Sequence, residues 1–213
     1  TSFRSGNPDL YIHSLGKATT RAVSTRKGLN TSASFWPDGK QIAVTLSHEG
    51  SPSIYLVDRS GKVLRRLTNM KGADTSPSVS PDGRKILFTS DRPGWPQIYI
   101  MDADGSNVTR LTEKGYCDSP VWSPTGDKFA YSRGTDKGKH DIIVQDFATG
   151  NAFQITDNSG SNENPSFSPD GRYLVFTTTR NKKHELYLTS IDGSVQKKLA
   201  DIPGESFTPS WGP

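Results

Sequence analysis

Nucleophilic, acid–base and metal-ligand chemistry in this chain would have to come from four histidines, one cysteine and a short acidic run. His13, His48, His140 and His184 are scattered, and no Gly-x-Ser-x-Gly elbow is present to expose a hydrolytic serine. Cys117 has Asp118 beside it and no adjoining Lys, Arg or His to favour its thiolate. A lone cysteine also excludes an internal disulfide framework and a multi-cysteine zinc site. The run Asp102-Ala103-Asp104-Gly105-Ser106-Asn107 invites a calcium reading, with Glu113 in the twelfth place. A helix-flanked calcium loop needs glycine in the sixth place, where Asn107 stands, so a tight hairpin turn is the better reading. No catalytic constellation and no metal site emerges, and no cofactor is expected.

Recognition chemistry is better represented. Arg4, Arg92 and Arg180 recur at one spacing, with His48 and Thr135 at the matching places. They could form a basic ring, but periodic placement favours a structural role, each guanidinium pinning a loop. Trp95, between Gly94 and Pro96, sits in a turn that should project, and Phe3 and Tyr116 also fall in loops. Such aromatics suit a protein interface.

What positions these residues is a repeat. Tyr11, Tyr55, Tyr99, Ile143 and Tyr187 are spaced by 44 residues, four times over, and so are Val23, Leu67, Leu111, Ile155 and Leu199. Pro37, Pro81, Pro124, Pro169 and Pro213 follow at 44, 43, 45 and 44. Each unit reads as four short strands. The first carries Pro77-Ser78-Val79 or its copies at 120–122, 165–167 and 209–211. A Ser-Pro-Asp-Gly turn follows, intact at 80–83 and 168–171, where proline presets the turn dihedral. The second strand alternates apolar residues, as in Ile86 and Phe88. The third is Ile54-Tyr55-Leu56-Val57 and its copies, and the fourth holds Leu67, Leu111 or Ile155. Four-stranded units that cannot bury both faces alone predict an all-β fold, a β-propeller of antiparallel blades.

The expected organisation is one propeller domain over 1–213. It divides into a partial blade at 1–29, full blades at 30–73, 74–116, 117–161 and 162–205, and a closing first strand at 206–213. Thr1-Ser2 aligns with Thr89-Ser90, so the chain starts at the end of a second strand. Either the terminal segment closes a five-bladed ring with that partial blade, or the chain is a fragment of a larger ring.

The loop between the fourth strand of one unit and the first strand of the next leads to the innermost strand. Its last residues should therefore line a channel mouth. They are Asn30 and Thr31, Asp74 and Thr75, Cys117 and Asp118, Asn162 and Glu163, then Ser206 and Phe207. Asp74, Asp118 and Glu163 are expected together on one face, where they would serve a protein ligand. The same residues could simply cap strand starts. A cation in the channel is left open.

Composition narrows the class. Apolar residues make up 31% of the chain and 20 aromatics are spread along it, low for a globular domain but not disordered. A net charge of +4 lacks the concentrated basic surface of a nucleic-acid binder. No run approaches the ~18 apolar residues of a membrane helix, so no membrane insertion is expected. There is no initiator Met and no leader, which reads as a processed chain or a fragment.

The pattern PSxSPDGxxIxFxSxRxGxxxIYxMDxxGxxxxxLT, clearest at Ser76–Thr112 and Asn164–Leu199, resembles the TolB-type repeat family over all 213 residues. The terminal FTPSWGP and the early RSGNPDLYI add to the likeness. The repeat is shared with propellers of oligopeptidase-like and tricorn-like proteases. The resemblance implies a periplasmic component of the Tol–Pal system, with an α/β domain ahead of a six-bladed propeller. It also implies binding of the peptidoglycan-associated lipoprotein and exploitation by colicin-type peptides. The α/β domain, the segment that engages TolA and the first blade have no counterpart in these residues. The expected function is non-enzymatic protein binding through Asn30, Thr31, Asp74, Thr75, Asp118, Asn162, Glu163, Ser206 and Trp95. The alternatives are the gating propeller of an oligopeptidase and a trimmed or engineered scaffold.

Overall fold

A computed structural model describes residues 1–212; Pro213, the last of the periodic turn prolines, lies outside the described residues. All regular structure among them is β-strand. The chain falls into two compact units, one spanning Thr1–Arg110 and the other beginning at Leu111.

The first unit opens with a hairpin of β1 (Leu10–Ser14) and β2 (Thr19–Ser24). Ser2 forms an isolated antiparallel bridge with Asp9, as the last residue of a second strand would. Two four-stranded sheets follow. One holds β3 (Asn30–Phe35), β4 (Gln41–Leu46), β5 (Ser53–Asp58) and β6 (Val63–Arg66). The other holds β7 (Asp74–Val79), β8 (Lys85–Ser90), β9 (Gln97–Asp102) and β10 (Thr109–Arg110).

The second unit repeats the plan twice. Its first sheet is β11 (Cys117–Trp122), β12 (Lys128–Gly134), β13 (His140–Asp146) and β14 (Ala152–Gln154). Its second is β15 (Asn162–Phe167), β16 (Tyr173–Thr178), β17 (Glu185–Ser190) and β18 (Gln196–Lys198). In each sheet, neighbours in sequence are antiparallel neighbours in space, as short turns require.

Second and third strands are buried on both faces, so alternation sorts their apolar residues between two cores rather than between core and solvent. Ala43, Ile54, Leu56 and Leu67 pack with Val79, Ile86, Phe88, Tyr99 and Met101 of the following sheet. Ile42, Val44, Leu46, Tyr55 and Val57 face the other way, toward Leu10 and Val23 of the hairpin. In the second unit, Ala130, Ile142, Val144 and Ile155 pack with Phe167, Leu174 and Phe176.

Every first strand carries a bulge. Its register shifts between Thr31 and Ser34, Thr75 and Ser78, Asp118 and Val121, and Glu163 and Ser166. Ser32, Ser76, Ser119 and Asn164 take φ of 52–55° there. Pro77, Pro120 and Pro165 fit because a bulge asks no ladder N–H of them.

The expected terminal first strand differs from this plan. Described residues 206–212 form no ladder. Their backbone donors still reach the preceding sheet as those of the paired first strands do: Ser206 N to His184 O at 3.0 Å, Thr208 N to Thr177 Oγ1 at 3.2 Å, and Trp211 N to Ser166 Oγ at 3.0 Å.

Candidate functional site: an acidic cleft of the second unit

The strand starts split the expected binding residues into two classes. Asn30, Asp74, Cys117 and Asn162 are the first residues of β3, β7, β11 and β15, and each is at most 1% exposed. Their neighbours Thr31, Thr75, Asp118 and Glu163 are half-buried. Successive side chains on a strand point to opposite sides, so Asp74 belongs with Cys117 and not with Asp118. The three carboxylates therefore do not share one position, and the expectation of a single acidic set is corrected to Asp118 and Glu163.

The buried set anchors loops. Asn30 Nδ2 donates to Arg26 O at 2.7 Å and Gly28 O at 3.1 Å, and its Oδ1 accepts from Arg26 N. Asn162 Nδ2 donates to Asp141 Oδ1 at 3.1 Å and to the His140 carbonyl. Asp74 is paired with Arg92 at 2.8 Å. Burial pushes the Cys117 thiol up to about 11, so the thiolate is disfavoured and the side chain fills space.

The periodic arginines cover rings. Arg4, Arg92 and Arg180 lie 4.6, 4.8 and 4.0 Å from the ring centres of Tyr11, Tyr99 and Tyr187. Where His48 takes the arginine's place, Arg66 reaches the Tyr55 ring from the fourth strand at 5.7 Å. Cation–π contact on the third strand is what the spacing encodes. The acidic run at 102–107 is the expected hairpin turn. Gly105 N donates to Asp102 O, and Asp102 Oδ2 accepts from Asn107 Nδ2 at 2.6 Å.

Asp118 and Glu163 open into one cleft of about 340 Å³, lined also by Tyr116, Ser119, His140 and Asn164. Strand starts of β11 and β15 supply the carboxylates, the loop before β11 supplies Tyr116, and β13 begins with His140. His140 Nδ1 lies 3.3 Å from Glu163 Oε1 and 3.2 Å from Ser161 Oγ, and Ser161 Oγ also donates to Glu163. The Tyr116 ring meets the His140 ring edge-on at 5.6 Å. Ser119 Oγ donates to Asn164 Oδ1 at 3.1 Å, linking the two bulges. The hydrogen bond to Glu163 raises the His140 pKa, and the same bond holds the Glu163 carboxyl below the usual range. The cleft can thus accept hydrogen bonds, present negative charge at neutral pH, and offer a half-exposed aromatic at its edge.

His140 is the residue that residue-by-residue reading passes over. Its signal is in the repeat: Pro8, Pro52 and Pro96 at 44-residue steps are followed by His140 and His184. His184 likewise faces a carboxylate, Glu205, at 3.2 Å and stacks near Phe207. Trp95 is 55% exposed in the first unit, beside Gly94, whose φ is 104°. Thr31, Thr75 and Ser206 stay half-buried at the starts of β3, β7 and the terminal segment. Among the described residues no group of three or more His, Cys, Asp or Glu is placed to hold a metal. No helix there is long and apolar enough to cross a membrane.

The TolB beta propeller domain model matches residues 1–213. TolB from Acinetobacter baumannii superposes with a TM-score of 0.89 at 37% identity, over 99% of this chain and 53% of that one. The Tol-Pal system protein TolB of Nitrosospira multiformis is 42% identical over 75 residues, which is 35% of this chain and 17% of the relative. The tricorn protease shares the fold, with a TM-score of 0.74 at 21% identity over 95% of this chain and 22% of that one. The chain thus spans about half the length of the solved TolB chain it matches.

Proposed function

This chain belongs to the TolB beta-propeller family, and from that premise we propose that it is a non-enzymatic protein-binding module of a periplasmic Tol–Pal component. The partner is the peptidoglycan-associated lipoprotein, held at the cleft of Asp118 and Glu163; colicin-type peptides would compete for it. The reading rests on one observation: two carboxylates from adjacent strand starts open into a single cleft edged by Tyr116. Fixed acceptors on rigid strand ends, with an aromatic at the edge, suit a protein ligand that supplies donors. Their charge steers association more than it sets affinity. No cofactor and no catalytic step is required.

The test is the double variant Asp118→Asn/Glu163→Gln, titrated with the cognate lipoprotein. Binding should weaken about tenfold or more, and its salt dependence should flatten. Folding should survive, because both carboxylates are only half-buried and the isosteric amides keep their shape; an unchanged circular dichroism spectrum checks it. The turn variant Asp38→Asn/Asp82→Asn/Asp170→Asn should bind normally. Loss of binding in the turn variant with retention in the cleft variant would place the partner on the opposite face.

A further inference from the structure

The second unit has another cleft, of about 450 Å³, which shares Gly134 and Thr135 with the acidic one but carries the opposite charge. Lys114, Arg133 and Lys137 line it against one carboxylate, Asp136, which leaves a net charge of +2. Among the described residues none of these three cations is in an ion pair.

The repeat shows why that charge is unspent. In the sheet of β7–β10, Arg92 is taken up by the Asp74 carboxylate and the Tyr99 ring. In the sheet of β15–β18, Arg180 lies over the Tyr187 ring and donates to Asn162 Oδ1. The sheet of β11–β14 has Cys117 at the place of Asp74, Ile143 at the place of Tyr99 and Thr135 at the place of Arg92. Its arginine stands two residues earlier. Arg133 faces Cys117 across the ladder, where Ser90 faces Asp74 and Thr178 faces Asn162. Its Nη2 donates to a neutral acceptor, Gln154 Oε1, at 3.4 Å.

The next residue departs from the pattern as well. Ser47 Oγ, Asp91 Oδ1 and Thr179 Oγ1 accept from Leu29 N at 2.8 Å, Ala73 N at 2.6 Å and Ser161 N at 2.8 Å. Gly134 at the same place has no oxygen to offer, and its own N–H donates to Tyr116 O at 2.7 Å. A side chain on Gly115, whose φ is 71°, would meet Gly134 O at 3.1 Å and Arg133 Cγ at 3.3 Å. Two glycines thus bring loop and strand together beside Arg133 without adding an acid. Two oxygens of the cleft residues also lack partners: Thr135 Oγ1 and Asn158 Oδ1 are withdrawn from water and bond to nothing in the protein. Unpaired buried polar atoms of this kind call for an occupant.

We propose that this basic cleft binds a phosphorylated sugar, a phosphate monoester that also carries hydroxyls. A monoester bears about −1.5 to −2 at neutral pH, which matches the net charge of the lining. The Arg133 fork suits two phosphate oxygens, the two lysines add point charges, and the Thr135 hydroxyl can donate. Asn158 Nδ2 is engaged by Asp157 Oδ1 at 3.2 Å, so Asn158 Oδ1 is left to accept from a sugar hydroxyl. The volume exceeds what an inorganic ion fills and lies in the range of small-molecule sites.

The probe is glucose 6-phosphate, titrated into the isotope-labelled 213-residue chain and followed by amide chemical shifts. Saturable shifts are expected at 114–115, 133–137 and 154–158. Lys114→Gln/Lys137→Gln, at two exposed positions, should weaken binding about tenfold or more, and so should Arg133→Gln, since bonds to charged groups are the strong ones. Glucose should cause no shift, and inorganic phosphate should bind more weakly than the ester. Absence of saturable shifts, shifts confined to 118–119 and 163–164, or binding indifferent to the double lysine variant would each overturn the proposal. Equal binding of inorganic phosphate would reduce the cleft to a simple anion site, and displacement of the ester by phosphatidylglycerol vesicles would assign it to a membrane surface; either result overturns the proposal as well.

Discussion

Asp74 in the first unit and the Asp118–Glu163 pair in the second begin from nearly the same sequence position and end in opposite states. Asp74 opens β7, points inward, and is buried against Arg92 at 2.8 Å. Asp118 and Glu163 are second in β11 and β15, point the other way, and share an open cleft. One step along a strand exchanges a buried ion pair for a carboxylate that lines an open cleft. The arginine matters too. Arg92 spans the Tyr99 ring and the Asp74 carboxylate; in the second unit Thr135 stands at the matching place in the sheet of Asp118 and brings no charge, and Arg180, in the sheet of Glu163, lies over the Tyr187 ring and donates to Asn162 Oδ1. The difference teaches that in a repeat fold a carboxylate's role follows from strand parity and from the loop residue opposite it.

Asp74→Ala should destabilise the fold most. It strands a largely buried guanidinium, and breaking such a pair costs about 3 kcal/mol or more. Thermal unfolding should shift down by roughly 6–12 °C. A shift no larger than that of Asp118→Asn would mean that Asp74 is not sequestered.

A middle-sized effect separates the arginines. Arg92→Ala loses an ion pair and a ring contact, whereas Arg4→Ala loses an exposed cation–π contact of about 0.5–1 kcal/mol. Chemical denaturation should rank Arg92→Ala clearly below Arg4→Ala. Equal midpoints would assign Arg92's contribution to the ring alone.

The smallest effect is the pH dependence of the His140–Glu163 contact. The raised histidine pKa gives stability that is complete below its unfolded value of about 6.5 and is lost as pH rises through the folded value. The lowered glutamate pKa gives stability that is present above its unfolded value of about 4.3 and is lost as pH falls through the folded value. Their joint contribution therefore peaks between about pH 4.3 and 6.5. Both groups are partly solvated, so screening limits it to about 1 kcal/mol or less. His140→Gln should flatten the melting-temperature profile in that window; a profile unchanged by the substitution would show that the contact is not formed in solution.

The sheets were legible because period, turn and alternation agree. Pro81-Asp82-Gly83 between Val79 and Ile86 admits little but a hairpin, and Ile86-x-Phe88 must face one side. The site was legible only in part. Loop position pointed to Asp118 and Glu163, but the choice between them and Asp74 depends on a one-residue parity that an irregular loop blurs before the strand begins. Recurring arginines were readable as structural from their period, yet the Tyr99 ring as their target needed the third strand in register with the loop. His140 was hidden because it replaces proline at a place where three earlier repeats show no chemistry. The terminal segment, expected as a strand from Pro209-Ser210-Trp211, bonds to the hydroxyls of Thr177 and Ser166 as β7 and β15 bond to those of Ser34 and Ser132, but described residues 206–212 pair with no second strand.

Hydrogen–deuterium exchange of the chain with and without the proposed partner, the cognate peptidoglycan-associated lipoprotein, locates the binding surface. Bound partner should slow exchange at 116–119, 134–140 and 161–164, the segments that line the acidic cleft, and leave the turns at 36–39, 80–83, 123–126 and 168–171 unchanged. Protection confined to those turns, with the cleft segments exchanging as in the free chain, would mean that the partner does not bind at the acidic cleft.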